Sequence, residues 1–437
     1  MTQGLAPPAT GPEPAVPIVI VGGGAGGLEL AARLGRRLGR QHGRGHVLLI
    51  DRAPLHIWKP TLHEVAAGTL NLHAEGLSYP MLARRNRFSF ALGDMVALDI
   101  DQRCLTLAPI VDDLGDELVP QRRVHFERLV LALGSGSNFF GTPGAERAFV
   151  LENTRDAERF RQHLLAAFMR AAYSAERRLG LAIVGGGATG VELSAELLEA
   201  HAEVLESLGD ANRFALDISI VEAAPRILSG LPERISRQAT AALERRGVHV
   251  RTDTKVVAIQ DDGLQTSAGP LAADLVVWAA GIQAAPAHAG FGLETNRQHQ
   301  FVVDARLQTS ARGIYALGDN AACPWRDGQW VPARAQAASQ QASYLARVLA
   351  GAASEPPAPF VYRDLGSLVS LGENKGVGNL MGSLSGKKFF VHGLVAKWMY
   401  MSLHLMHHRA ILGLRATAVL AVARLLQRRV SGRVKLH

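Results

Sequence analysis

Glycines at Gly22, Gly24 and Gly27 follow the apolar run "PIVIV", and glycines at Gly185, Gly187 and Gly190 follow "LAIV". Both triplets have the spacing GxGxxG. The first glycine of such a triplet permits a tight turn, and the second lets a pyrophosphate approach the backbone. The third lets the following helix pack on its strand. The helix start then offers free N–H groups to the phosphates. A carboxylate is expected at the end of the next strand, where it accepts from ribose hydroxyls. Asp51 ends "HVLLID" and Glu222 ends "ALDISIVE", so both units have one. At Glu222 the charge also repels a 2′-phosphate, which favours NADH over NADPH. Arg226, four residues on, softens that preference if it reaches the ribose; an exposed arginine near a helix start is the plainer reading.

Two such units in one chain suit a flavin and a nicotinamide, with hydride passing between stacked rings. A motif further along the chain tells the two apart. "LGDNAA" at Leu317–Ala322 resembles the late aspartate motif of two-dinucleotide flavoproteins, in which Asp319 would accept from the ribityl chain of FAD. That motif belongs with the first glycine loop, so FAD is expected at Gly22–Gly27 and NADH at Gly185–Gly190. "LVLALGSGSNFFGTPG", which includes Gly134, and "LVVWAAG", which ends at Gly281, resemble the segments by which a chain leaves and re-enters the FAD domain.

The elements that must place these groups form an α/β chain with two Rossmann-like dinucleotide-binding domains. The FAD-binding domain is expected to be discontinuous, 17–149 plus 282–350, with the NADH-binding domain, 150–281, inserted. Residues 1–16 are proline-rich and lack the basic start and apolar core of a signal peptide, which predicts a disordered leader. "ASEPPAP" at Ala353–Pro359 reads as a linker into a C-terminal amphipathic membrane-attachment region, 351–437.

Charge is distributed unevenly. The chain carries a net +8, yet no Asp or Glu occurs from Asn374 onward, where eleven Lys and Arg lie. The first 373 residues hold the other 36 bases against 39 acids. A basic end on a mildly acidic body suggests an anionic membrane surface before nucleic acid. "GLVAKWMYMSLHLMHH" and "AILGLRATAVLAVARLLQRR" are interrupted by Lys397, Arg415 and Arg424, so neither reaches the ~18 apolar residues of a membrane span. They read as helices lying in the interface plane, with His404, His407 and His408 as interfacial residues and not metal ligands. Packing of the same helices on the body or in a dimer stays open.

The two cysteines, Cys104 and Cys323, cannot form a redox pair beside the flavin, and "DRAPLHIWKPTLHEVAAG" at Asp51–Gly68 contains none. Dithiol reduction is thereby excluded and sulfide oxidation disfavoured. Electrons must leave the flavin directly for an acceptor.

The chain resembles the type II NADH:quinone dehydrogenases, single-subunit respiratory flavoproteins, from about Ile18 to His437. The likeness rests on "KPTLHEVAAG" (Lys59–Gly68), "VGGGATGVELSAEL" (Val184–Leu197), "GDNA" (Gly318–Ala321) and "AQAASQQA" (Ala335–Ala342). The last matches the family's quinone-site signature AQxAxQ at Gln336 and Gln340. On a helix expected over about 332–349 both amides lie on one face, and an amide can donate to a quinone carbonyl or to the flavin without bringing charge. The resemblance implies that Glu192 lies near the nicotinamide and flavin rings, though a surface glutamate favoured by the helix dipole is the alternative. It implies that Lys59 belongs to the flavin-side loop, with Lys375 near the quinone tunnel. It further implies FAD and NADH as cofactors, ubiquinone or menaquinone as acceptor, a homodimer, and peripheral attachment to the cytoplasmic side of the cell membrane. Without a span there is no evident route for proton pumping. A soluble NADH-dependent reductase of a protein or dye-like acceptor would not need the basic tail; an NADH-sensing flavoprotein binding module would turn over slowly.

Overall fold

The computed structural model describes residues 14–208, 210–351, 357–372, 376–381, 388–392 and 394–430. Most of the expected leader, and also Lys375, Lys387, Arg433 and Lys435, lie outside the described residues.

The chain opens with β1 (Val16–Val21), α1 (Ala25–Gln41) and β2 (Val47–Asp51). Next come α2 (Leu62–Ala67), α3 (Tyr79–Asn86), β3 (Ser89–Leu92) and the long β4 (Arg122–Leu131). The strands pair in parallel in the order β3–β2–β1–β4, with Ser89, Leu48, Val19 and Leu129 in one row. The apolar run of β1 and the apolar end of β4, Leu129–Leu131, suit strand segments covered on both faces, and Val19, Ile20, Leu129 and Val130 are fully buried.

The second unit contains α4 (Thr154–Tyr173), β5 (Arg178–Val184), α5 (Ala188–Ser207), β6 (Ala215–Val221), β7 (His249–Arg251) and β8 (Leu275–Trp278). Its parallel sheet runs β7–β6–β5–β8, placing His249, Ser219, Ala182 and Val276 in a row. The two crossings between the units lie side by side: Gly136–Ser137 pairs antiparallel with Ile282–Gln283. The short α2 leaves the first unit and packs on α4 and α5, so that Leu62, Val65, Ala66 and Ala67 join the core of the second.

After re-entry, β9 (Ile314–Ala316) extends the first sheet beyond β4, with Ile314 beside Leu129. Then α6 (Ala335–Leu349), three residues shorter at its start than the sequence suggests, lies along α1. An antiparallel sheet comes next, of β10 (Gly366–Ser370), β11 (Gly376–Met381) and β12 (Lys388–His392). Two helices, α7 (Leu394–Leu412) and α8 (Leu414–Val430), end the described chain, separated by Gly413 at φ +80°. That left-handed conformation suits glycine and stops the first helix.

The last carbonyls of α7 are capped by the body. Arg36 donates to Ala410 O at 2.8 Å, Asn86 to Ile411 O at 2.9 Å and Arg85 to Leu412 O at 2.9 Å. A buried carbonyl left without a donor costs about 1–3 kcal/mol, so these three contacts fix the helix end on the first unit. His407 and His408 are buried in this packing, which corrects their reading as interfacial residues. The outer helix α8 instead exposes Leu414, Val419, Val422 and Leu426. No described helix is long and apolar enough to cross a membrane.

Candidate functional site

The two glycine loops are built alike. Gly22 and Gly185 turn at φ +102° and +109°, a region that side chains rarely adopt. A Cβ on Gly27 would collide with the carbonyl oxygen of Gly22, and one on Gly190 with that of Gly185. Each loop is held by the acidic residue at the next strand end. Gly23 N–H donates to Asp51 at 2.6 Å, and Gly186 N–H donates to Glu222 at 2.7 Å. The other oxygens accept from Ala53 and Ala224, both at 2.8 Å. Burial pushes the Asp51 carboxyl up, against the pull of the Ala53 and Gly23 amides.

The space a pyrophosphate needs is present at both loops. Nothing stands within 4 Å of a Cβ built on Gly24 or Gly187. Neither α1 nor α5 has a capping side chain or an acid in its first turn, whereas Asn153 caps α4. Two helix N-termini therefore keep N–H groups and partial positive charge for phosphates. Arg226 donates to the carbonyls of Leu228, Ser229 and Leu231, so its charge is committed to its own loop and not to the ribose.

The residues around the aspartate turn form one chain of contacts. Lys59 donates to Ser135 O at 2.8 Å, and Ser135 Oγ donates to Asp319 at 2.9 Å. Gly134 N–H donates to Asn320 at 3.3 Å, and Gly134 and Gly281 take φ +74° and +70° at the two crossings. Gln341, fully buried, accepts from Gly318 N–H at 2.7 Å and so fixes the aspartate turn. Sequence reasoning passed over Gln341 although it adjoins Gln340 in the signature.

Gln336 and Gln340 share a face of α6, and both grip the same backbone segment. Gln336 accepts from Leu365 N–H at 3.0 Å and donates to Gly366 O at 2.9 Å. Gln340 accepts from Arg363 N–H at 3.0 Å and donates to Arg363 O at 2.8 Å. The segment leads into β10, whose Ser370 N–H donates to Glu192 at 3.0 Å. Glu192 is only 6% exposed, not the solvated surface glutamate of the alternative reading. Burial raises its carboxyl to about 8, with the Ser370 bond opposing. His63 Nδ1, from α2, stands 3.8 Å away; burial lowers that imidazole to about 4. The two are therefore no ion pair at neutral pH: the glutamate keeps its proton and the histidine stays neutral. His63 Nε2 is buried without a hydrogen-bond partner. Among the described residues no group of His, Cys, Asp or Glu is placed to hold a metal ion, and Cys104 and Cys323 are separate and buried.

The sequence pattern of the pyridine nucleotide-disulphide oxidoreductases matches residues 16–342. A type II NADH:quinone oxidoreductase of Haemophilus influenzae is 39% identical over 96% of this chain and 99% of its own. A demethylphylloquinone reductase of Synechocystis is 31% identical over 82% of this chain and 85% of its own. In fold, the chain is similar to NDH2 from Plasmodium falciparum in complex with NADH, at TM-score 0.80 and 18% identity over 97% of this chain and all of that one. The chain belongs to the type II NADH:quinone oxidoreductases, within the pyridine nucleotide-disulphide oxidoreductase family.

Proposed function

We propose that this chain oxidises NADH and reduces a membrane quinone without pumping protons, and that residues 363–370 wall the quinone site. Bound FAD supplies the two-electron carrier between the substrates. Asp51 and the N-terminus of α1 would hold its adenosine side, while Lys59, Ser135 and Asp319 would hold the ribityl side. Glu222 and the N-terminus of α5 bind NADH, and the fixed loops orient the nicotinamide for transfer.

The overall reaction, NADH + H⁺ + quinone → NAD⁺ + quinol, takes one proton from solution. Glu192 suits that step, because a carboxyl raised to about 8 carries a proton at neutral pH and can release it to a developing quinol oxygen. Reprotonation from solvent restores it. Gln336 and Gln340 keep Arg363–Gly366 in place, and Ser370 ties the far end of that segment to Glu192. The observation that carries this reading is that one backbone segment joins the signature glutamines to the protonated glutamate.

The exposed stripe Leu414, Val419, Val422 and Leu426, on a tail without acids, supports attachment to an anionic bilayer. Placement on the cytoplasmic side and assembly as a homodimer belong to the same proposal.

Stopped-flow measurement of the two half-reactions tests it. Gln336→Ala and Gln340→Ala should slow reoxidation by quinone about tenfold, the scale of one buried hydrogen bond, and leave reduction by NADH nearly intact. Equal damage to both halves would assign the glutamines to the flavin fold alone.

A further inference from the structure

The carbonyl of Gly23, in the middle of the first glycine loop, has two donors from distant elements. Tyr79 Oη donates to it at 2.7 Å, and His56 Nδ1 lies 3.0 Å from it. His56 Nε2 is 2.9 Å from Nε2 of His407 on α7. His407 Nδ1 is 3.0 Å from Glu29 on α1, and the other Glu29 oxygen accepts from Ser339 on α6 at 2.8 Å. His56, His407 and Glu29 are all buried.

The proton positions are set by the acceptors. A carbonyl cannot donate, so His56 Nδ1 carries hydrogen. Burial and the adjacent His407 hold His56 in its neutral form, so its Nε2 is a lone pair and His407 Nε2–H must be the donor. The bonds from His407 to His56 and from His56 to Gly23 then both point toward Gly23.

The Gly23 carbonyl and the Gly24 N–H belong to one planar trans unit and point in opposite directions. Two donors on the oxygen fix the direction of that N–H at the N-terminus of α1. They also polarise it as a donor, since linked hydrogen bonds strengthen one another. The second glycine loop lacks this device. Its matching carbonyl, Gly186 O, accepts from the backbone N–H of Leu228, within the second unit, at 2.7 Å. The loop for a cofactor that departs each turnover is tied within its own unit; the loop for the resident cofactor is tied through His56 to the C-terminal helix.

We propose that the Glu29–His407–His56 relay positions the Gly23–Gly24 peptide for the FAD pyrophosphate, so that FAD retention depends on the docked helix α7. His407 and His56 are positioning residues in this scheme, and the scheme rests on the assignment of FAD to the first loop.

The test is FAD release from the holoenzyme, measured by the recovery of flavin fluorescence on dilution. Glu29→Leu with His407→Leu replaces the buried polar pair by apolar groups, a change that folded proteins commonly tolerate. FAD release should accelerate about tenfold, the scale of one buried hydrogen bond, with NADH affinity changed less than about twofold and the apoprotein melting temperature near that of the wild type. Glu29→Gln should retain FAD like the wild type, because its amide donates to His407 Nδ1 and keeps the relay's direction. If the double variant does not fold, His407→Gln and His407→Asn decide, being equal in polarity and unequal in reach: the first should retain FAD and the second release it. Unchanged release from the folded double variant, or equal release from the Gln and Asn variants, would overturn the inference. Weakened NADH binding with unchanged FAD would instead overturn the assignment of the loops.

Discussion

Replacing Glu192 by glutamine should stabilise the protein at neutral pH and flatten the dependence of its stability on pH. A glutamine keeps an oxygen to accept from Ser370 N–H and cannot ionise. In the wild type the folded-state carboxyl is raised from 4.5 to about 8. Between those values the unfolded chain has lost its proton while the folded chain retains it. Fewer protons are bound on unfolding, so wild-type stability falls as pH rises through this window and levels off above about 8. Each unit corresponds to about 1.4 kcal/mol, so the variant should lead by roughly 3 kcal/mol at pH 7 and by almost nothing at pH 4.5. His63, lowered to about 4, adds the opposite trend: its contribution is present above 6.5 and lost as pH falls toward 4. That term is common to both proteins and cancels in the difference. Urea titrations at pH 5, 6, 7 and 8 with saturating FAD measure the gap. Parallel stability curves would refute the reasoning, because any packing effect of the new amide shifts all pH values alike and only the lost ionisation changes the slope.

A Cβ on Gly24 meets no neighbour in the protein, so Gly24→Val should give a folded protein that purifies without flavin absorbance; full FAD occupancy would move the pyrophosphate elsewhere. Glu222→Gln should weaken NADH and raise NADPH efficiency relative to it by about tenfold, as a charge facing the 2′-phosphate is removed; an unchanged ratio would assign cofactor choice to another residue. Val419→Glu with Val422→Glu, on the exposed face of α8, should release the protein from anionic vesicles in a sedimentation assay and leave reduction of a water-soluble quinone near wild type. Continued sedimentation would place the membrane contact on a different surface.

The glycine loops and their acids were readable because each is a local device: strand, turn, helix and next strand occur within a few tens of residues, and the spacing alone sets the geometry. The partners of the signature glutamines were not. Gln336 and Gln340 looked like a polar face awaiting a ligand, and their carbonyl and amide groups are satisfied by backbone 23–30 residues further on. His63 lay within a quoted motif, but nothing in that motif says that α2 packs into the second unit's core and brings the imidazole to Glu192. The tail histidines show the same limit more sharply. An apolar helical face reads alike whether lipid or protein will cover it, and for His407 the cover is Glu29, 378 residues away.

That separation has a consequence for biosynthesis. Residues near the start of the chain, on α1, are completed by a helix made close to its end. At about 5–20 residues per second, Glu29 waits roughly 20–75 s after synthesis for His407 to be made. During that interval the early strands also lack β9, which joins them only after the whole second unit has been translated. The first unit therefore matures last although it is synthesised first. Its uncovered sheet edge and apolar surface are exposed to wrong association until those late elements arrive.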